Sequence, residues 1–420
     1  MKKVCLVLFF LIICSSFAAA GFWDIFGFVT FERGEKVFSP EVKSLEEYWD
    51  QTNGPRLEYI RQIKFDLNDM DTLYIVSNTG SGILKSTDRG QTWFKLDDGL
   101  ENFYVFSLEI DPDNSDIMYA GVASDQIYKS IDGGQNWILS NEGVEERKMA
   151  FFSLVINPQN TNILFAGQGD YTMGEEGGSV YKSLDAGETW EEVLFPGEKA
   201  FISSIVIDEN NPNIIYVTTG LVDWCYDFSY GIYKSTDGGD SWESINYGLE
   251  DYTVSRLTID PTDSNILYVA TGCVGDDIVD GDNIYKSYNA GETWERLIDS
   301  RDGASSNVVF DSEHNLYATG YGSENHGIFK SEDDGETWED IVESIESSSH
   351  YTFIYDYVID PRDSDHQYFS TYSGGIYESE DGGENWLEIN GNKDRGLILA
   401  HSYGFDVNPD DENVLYASTI

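Results

Sequence analysis

The chain has 420 residues, with 25 Lys and Arg against 76 Asp and Glu, giving a formal charge of −51 at pH 7. Aromatic side chains at 14% exclude a disordered acidic chain, which lacks the apolar mass that offsets ordering entropy. The charge excludes nucleic acid and anionic membrane surfaces as partners, because both repel it; a neutral or cationic ligand, bound metal ions or a salty medium suit it.

Residues 1–20 read as a secretory signal. Lys2 and Lys3 supply the basic end, an apolar run extends from Val4 to Cys14, and Ala18-Ala19-Ala20 offers small side chains for cleavage. The competing reading is an uncleaved anchor. Beyond this stretch no segment approaches the roughly 20 apolar residues of a membrane span. The expected mature protein is secreted, periplasmic or on the cell surface, with no stable span after cleavage. Of the four cysteines, Cys5 and Cys14 leave with the signal, and Cys225 with Cys273 forms a candidate disulfide suited to an oxidising compartment.

One pattern organises everything after residue 80. It reads STDRGQTW at 86–93, SIDGGQNW at 130–137, SLDAGETW at 183–190 and STDGGDSW at 235–242. It returns as SYNAGETW at 287–294, SEDDGETW at 331–338 and SEDGGENW at 379–386. The tryptophans are spaced by 44, 53, 52, 52, 44 and 48 residues, a period that signals propellers or solenoids. Alternating strands flank each box, so the box is the turn of a β-hairpin. The carboxylate at Asp88, Asp132, Asp185, Asp237, Asp333 and Asp381, with Asn289 in the fifth copy, accepts hydrogen bonds within its own turn. The glycine supplies a positive φ. The indoles of Trp93, Trp137, Trp190, Trp242, Trp294, Trp338 and Trp386 bury against the adjoining hairpin.

A second turn precedes each box, as in Asp111-Pro112-Asp113-Asn114, Asn157-Pro158-Gln159-Asn160, Asp260-Pro261-Thr262-Asp263 and Asp360-Pro361-Arg362-Asp363. It joins two further strands, so each unit holds four, A to D. Four-stranded units at this period are propeller blades, and the absence of a sustained 3.6-residue apolar period excludes a helical solenoid. The boxes resemble the Asp-box (bacterial neuraminidase) repeats of sialidases, sortilin-type ectodomains, xyloglucanases and photosystem II assembly factors. Their combination with the Asp-Pro turn is most similar to the sortilin-like and xyloglucanase-like branch. The resemblance covers about residues 45–420 and implies an all-β propeller; it does not imply one activity. The domain reading is a signal at 1–20, an N-terminal segment at 21–55 supplying closing strands, and a propeller at 56–420. Eight blades are favoured, closed by strands from 24–50 pairing with 405–418, over seven plus a partial unit.

In such a blade the A–B and C–D turns share one rim, and the B–C and D–A loops the other. The box acids are therefore structural. Units three to five owe their length to B–C loops at 169–179, 221–230 and 273–283. Long loops on one rim of a rigid scaffold favour binding. The candidate ligand-binding residues there are Tyr171, Glu175, Glu176, Asp223, Trp224, Asp227 and Tyr230. Asp276, Asp277, Asp280 and Asp282 are dense enough in oxygen donors to suggest calcium, without the spacing of an EF-hand. His326, His350 and His401 share this rim as surface histidines, as does Arg147. A sialidase is excluded, because its Phe/Tyr-Arg-Ile-Pro segment is missing.

The functional expectation is a non-enzymatic, monomeric propeller binding a protein, peptide or polysaccharide through this rim, with no nucleic acid. The alternative is a xyloglucanase-like glycoside hydrolase using two rim carboxylates. The resemblance alone adds a third class, an assembly factor for a membrane complex.

Overall fold

The computed structural model describes residues 31–32, 35–36, 60–170, 176–220, 229–272, 283–299, 304–321, 327–341, 354–371, 375–389, 405–407 and 415–417. The chain divides into two compact units, 53–394 and the combined ends 1–52 and 395–420. The ends hold two short pairs, Phe31–Glu32 with Glu35–Lys36 and Phe405–Val407 with Leu415–Ala417. The remaining residues expected to supply closing strands lie outside those described. Among the described residues no helix is long and apolar enough to cross a membrane.

Within 53–394 the strands form seven antiparallel sheets, each of four strands in the order A-B-C-D. Blades 1 to 7 span 60–95, 105–139, 150–194, 202–244, 254–299, 304–340 and 354–388. Strand A of each blade packs on strand A of the next, and Ile354–Asp360 of blade 7 packs directly on Ile60–Asp66 of blade 1. One core cluster accordingly joins Ile60, Ile63 and Trp93 of blade 1 to Tyr368, Ile376 and Ile389 across the closing seam. Ser370 Oγ donates to the Ile60 carbonyl at 3.0 Å over the same seam. Eight blades are favoured by the sequence, but the described residues hold seven. The count is that of the alternative reading, because the apolar edge of blade 7 already fits that of blade 1.

Burial rises from the outer D strands to the B strands. B strands such as Met118–Val122, Ile215–Thr219 and Leu267–Thr271 are buried throughout, whereas the two-residue D strands Phe94–Lys95 and Ile138–Leu139 are exposed. Each core cluster lies between blades. The second, for example, combines Tyr119 and Ile127 of blade 2 with Leu154, Leu164 and Trp190 of blade 3.

The box chemistry is the same seven times. In the first copy Ser86 Oγ donates to Asp88 Oδ1 at 2.7 Å, while Gly90 N–H donates to Ser86 Oγ at 2.8 Å. Thr92 donates to the same carboxylate through its N–H at 2.8 Å and its hydroxyl at 2.5 Å. In the fifth copy Asn289 Oδ1 accepts from Ser287 Oγ and Thr293 N–H, both at 2.9 Å, so an amide serves as well as a carboxylate. The glycine is required by its backbone conformation and is closely packed besides. Gly90 has φ of 85°, and a Cβ there would stand 2.4 Å from Ile389 of blade 7.

The tryptophan does more than brace its own hairpin. Trp137 Nε1 donates to the Leu96 carbonyl at 3.2 Å, Trp190 Nε1 to Ser140 at 2.9 Å and Trp294 Nε1 to Ile245 at 2.7 Å. Each acceptor belongs to the preceding blade, so these three indoles are inter-blade bolts, whereas Trp338 Nε1 donates to the Gly335 carbonyl of its own box at 3.0 Å. A second connector pairs strands B and C. Lys85, Lys129, Lys182, Lys234, Lys286 and Lys330 lie over Tyr74, Tyr119, Phe165, Tyr216, Tyr268 and Tyr317 at 4.9–5.9 Å. Lys129 and Lys234 also reach the next blade's box, donating to the Ala186 and Ala290 carbonyls at 2.8 and 2.9 Å. Six of the scarce cations are thereby committed to the fold.

Two outcomes follow. The Ser241 hydroxyl and N–H, with the Ser235 hydroxyl, hold Asp237 down to about 2 from 3.8. A depressed carboxyl contributes stability above its unfolded pKa and loses it as pH falls through the folded one. Asp237→Asn should therefore flatten the decline of the unfolding midpoint between about pH 4 and 2 while changing little at pH 7, measured by thermal melts; an unchanged slope contradicts the assignment. Gly99 has φ of 95° and would set a Cβ 2.2 Å from the Trp137 carbonyl. Gly99→Ala should lower stability by about 2 kcal/mol or more in urea unfolding.

Candidate functional site

The innermost strand of a blade is hydrogen-bonded on one edge only, and its other edge faces the ring's centre. Those edge groups must find partners. They find them in the neighbouring blade's side chains. Leu108 N–H donates to Gln62 Oε1 at 2.8 Å, Ile205 N–H to Ser153 Oγ at 3.0 Å and Ile63 N–H to Asp356 Oδ2 at 2.8 Å. Ser107 Oγ and Ser203 Oγ donate to the Phe151 and Val254 carbonyls at 2.8 and 2.6 Å.

Every strand A also carries a β-bulge near its start. The register slips between Ile60 and Gln62, Val105 and Ser107, Phe151 and Ser153, Ile202 and Ser204, Val254 and Arg256, Ser305 and Asn307, and Ile354 and Asp356. A bulge re-aims a side chain and increases local twist. The extra residues are Arg61, Phe106, Phe152, Ser203, Ser255, Ser306 and Tyr355, and the first five line a central cavity of about 800 Å³ walled by inner strands of all seven blades. The bulges stand at the D–A end of the channel, the end where the B–C connections also leave the blades.

Aromatic and charged groups divide that cavity. Phe152 packs between Phe106 and Phe201 with ring centroids 4.5 and 4.2 Å away, and the Arg61 guanidinium lies 5.5 Å above it. Deeper along the strands Lys64 pairs with Glu109 at 2.5 Å. Burial holds Glu109 above the usual carboxylate range despite Lys64, which pulls it down. Arg256 of blade 5 reaches past blade 6 to Asp356 of blade 7 at 2.8 Å. Asp311 is spent on its own turn, accepting from Glu313 N–H and Asn315 N–H at 2.9 and 2.8 Å. Each of these channel carboxylates is already engaged.

The rim residues expected from sequence divide three ways. Tyr171, Glu175, Asp223, Trp224, Asp227, Cys225, Cys273, Asp276, Asp277, Asp280 and Asp282 lie outside the described residues, as do His326, His350 and His401. Glu176 is exposed on the rim. Tyr230 is half-buried and its hydroxyl donates to the Glu198 carbonyl at 2.9 Å, tying the B–C connection of blade 4 to the D–A connection before it. Arg147 is equally structural, with Nη1 2.6 Å from Ser179 Oγ and Nη2 2.7 Å from both Glu145 and Glu192.

The D–A connection bearing Arg147 is clasped by Asp125, which belongs to no repeated sequence motif. Asp125 is 3% exposed; its carboxylate accepts from the N–H groups of Arg147, Lys148 and Met149 and from Gln168 Nε2. Burial still pushes this carboxyl up. The clasp fixes the chain just before Phe152 enters the channel. Asp125→Ala should leave three amides without their acceptor, cost about 3 kcal/mol in urea unfolding and speed exchange of the 147–149 amides; unchanged exchange contradicts the clasp.

Comparison with known proteins agrees with this architecture. The family model described as sortilin, neurotensin receptor 3 (Sortilin-Vps10) matches residues 178–327. A xyloglucanase of Acetivibrio thermocellus is 28% identical over 138 residues, which is 29% of this chain and 15% of that enzyme. Among solved structures, the GH74 xyloglucanase from Xanthomonas campestris superposes with a TM-score of 0.65 at 17% identity, covering 81% of this chain and 55% of that one. YCF48 from Cyanidioschyzon merolae gives 0.54 at 14% identity, covering 79% and 98%. The chain thus spans little more than half the length of the xyloglucanase structure it matches. The chain is a β-propeller built on Asp-box hairpins, similar to the sortilin–Vps10 and xyloglucanase propellers.

Proposed function

We propose that the protein is an exported, non-enzymatic binding propeller, taking a protein, peptide or polysaccharide segment into the D–A end of its channel. The observation that carries this reading is the bulge repeated in every inner strand, which lines one mouth with Arg61, Phe106, Phe152, Ser203 and Ser255. A cavity of about 800 Å³ with apolar rings and a few polar groups suits a ligand's side chain or sugar unit. An aromatic face with an adjacent guanidinium serves either, by stacking or by cation–π contact.

The second reading, a glycoside hydrolase, is favoured by the local identity to xyloglucanases. It requires two carboxylates about 5–10 Å apart across the bond to be cut, with one of them protonated. Burial raises Glu109 as a general acid requires, but Glu109 and Asp356 are each tied to a cation, Lys64 and Arg256.

Glycan and peptide arrays probed with the exported chain, alongside xyloglucan digestion assays, separate the two. The binding reading expects a ligand whose affinity falls at least tenfold in Phe152→Ala and Arg61→Ala, with no release of reducing sugar. Hydrolysis of xyloglucan abolished by Glu109→Gln or Asp356→Asn overturns it.

A further inference from the structure

Blade 7 breaks the repeat at the rim opposite the proposed binding mouth. In the other six blades a lysine near the end of strand C lies over the aromatic ring of strand B. In blade 7 the ring is Tyr368 and the lysine is replaced by Glu378. Two residues before the ring, blades 2 to 5 carry Ile117, Ile163, Ile214 and Ile266, and blade 7 carries His366. The two exchanges face each other. His366 Nε2 stands 2.8 Å from Glu378 Oε1, and the Tyr368 hydroxyl is 2.8 Å from the imidazole and 2.9 Å from the carboxylate.

A third group completes the cluster. In blade 6 Glu332 is neutralised by Lys330 at 2.8 Å. Its counterpart Glu380 has Glu378 in the place of that lysine. Two carboxylates and an imidazole thus offer ligand atoms all within 4.8 Å of one another. His366 and Glu378 are 3% and 4% exposed, while Glu380 is open to solvent. Blade 7 thus brings two carboxylates and an imidazole together where the other blades place a lysine. One imidazole with two carboxylates is a donor set for a borderline dication, unlike the all-oxygen shells that calcium and magnesium take.

We propose that His366, Glu378 and Glu380 bind a divalent transition-metal ion of the zinc or manganese kind at the seam where blade 7 meets blade 1. Tyr368 is a positioning residue. Its hydroxyl donates to Glu378 at 2.9 Å, which orients the carboxylate, and lies 3.4 Å from the Arg89 carbonyl of the first box. The ion replaces the cation that the repeat supplies elsewhere and steadies the one seam that no chain connection between neighbouring blades spans. It is independent of the channel reading.

The test is calorimetric titration of the tag-free protein with Zn²⁺ and Mn²⁺ at about 0.15 M salt, where long-range attraction to the acidic surface is screened. Ca²⁺ and Mg²⁺ serve as controls. The double variant His366→Ile, Glu378→Lys restores the lysine-over-tyrosine pair of the other blades and so preserves the fold. The wild type should bind one more equivalent of Zn²⁺ than this variant, and Glu380→Gln should weaken that equivalent at least tenfold. Zn²⁺ should raise the melting midpoint of the wild type alone. Equal stoichiometry in wild type and double variant overturns the site and leaves a hydrogen-bonded Tyr–His–Glu cluster only; displacement by equimolar Ca²⁺ overturns the proposed ligand set.

Discussion

A closed ring of sheets rests on what becomes of the inner edge of strand A. That edge has no sheet partner, and its amides cannot face the channel unsatisfied without cost. The neighbouring blade supplies a side chain for it: Gln62 for Leu108, Ser153 for Ile205, Asp356 for Ile63. The last of these crosses the closing seam, so the constraint that holds consecutive blades also closes the ring. Because side chains rather than a ladder do this work, strand A is free to slip by one residue. The slip turns Arg61, Phe106 and Phe152 inward. Closure and channel lining are two consequences of one edge.

Farther out the seams rely on other connectors. The indoles of Trp137, Trp190 and Trp294 reach back to the preceding blade, while Lys129 and Lys234 of strand C reach forward to the next box. Each joins groups fifty or so residues apart, so the ring's cohesion is mostly between neighbours. The acidic composition becomes intelligible in this light. Much of it is turn chemistry, with a carboxylate in six boxes and others in A–B turns such as Asp208, Asp260 and Asp311. The large net charge describes the scaffold as much as any ligand.

The propeller class, the boxes and their shared rim were legible in the sequence because each is local. Ser86, Asp88, Gly90 and Thr92 satisfy one another within seven residues. The bulges were also written there, as an alternation slip in Ile-Arg-Gln-Ile-Lys-Phe, Phe-Phe-Ser-Leu-Val-Ile and Ile-Ser-Ser-Ile-Val-Ile, where two polar-facing positions follow one another. Reading the boxes alone passes over them. Blade number was not legible, since it depends on whether Ile60 meets Ser370, a contact 310 positions apart. Asp125 was hidden for a similar reason. Three of its donors come from the connection between blades 2 and 3 and the fourth from blade 3, and nothing in its immediate neighbourhood marks it. The loops at 169–179, 221–230 and 273–283, which drew the sequence-based site, lie mostly outside the described residues.

Hydrogen exchange at the inner strands tests the edge constraint most directly. Resolved to single amides, Ile63, Leu108 and Ile205 should exchange as slowly as the paired amides of strand B, and Gln62→Ala should release Leu108 alone. Exchange of these three amides at the rate of open edge positions, with the ring still folded, would contradict the account.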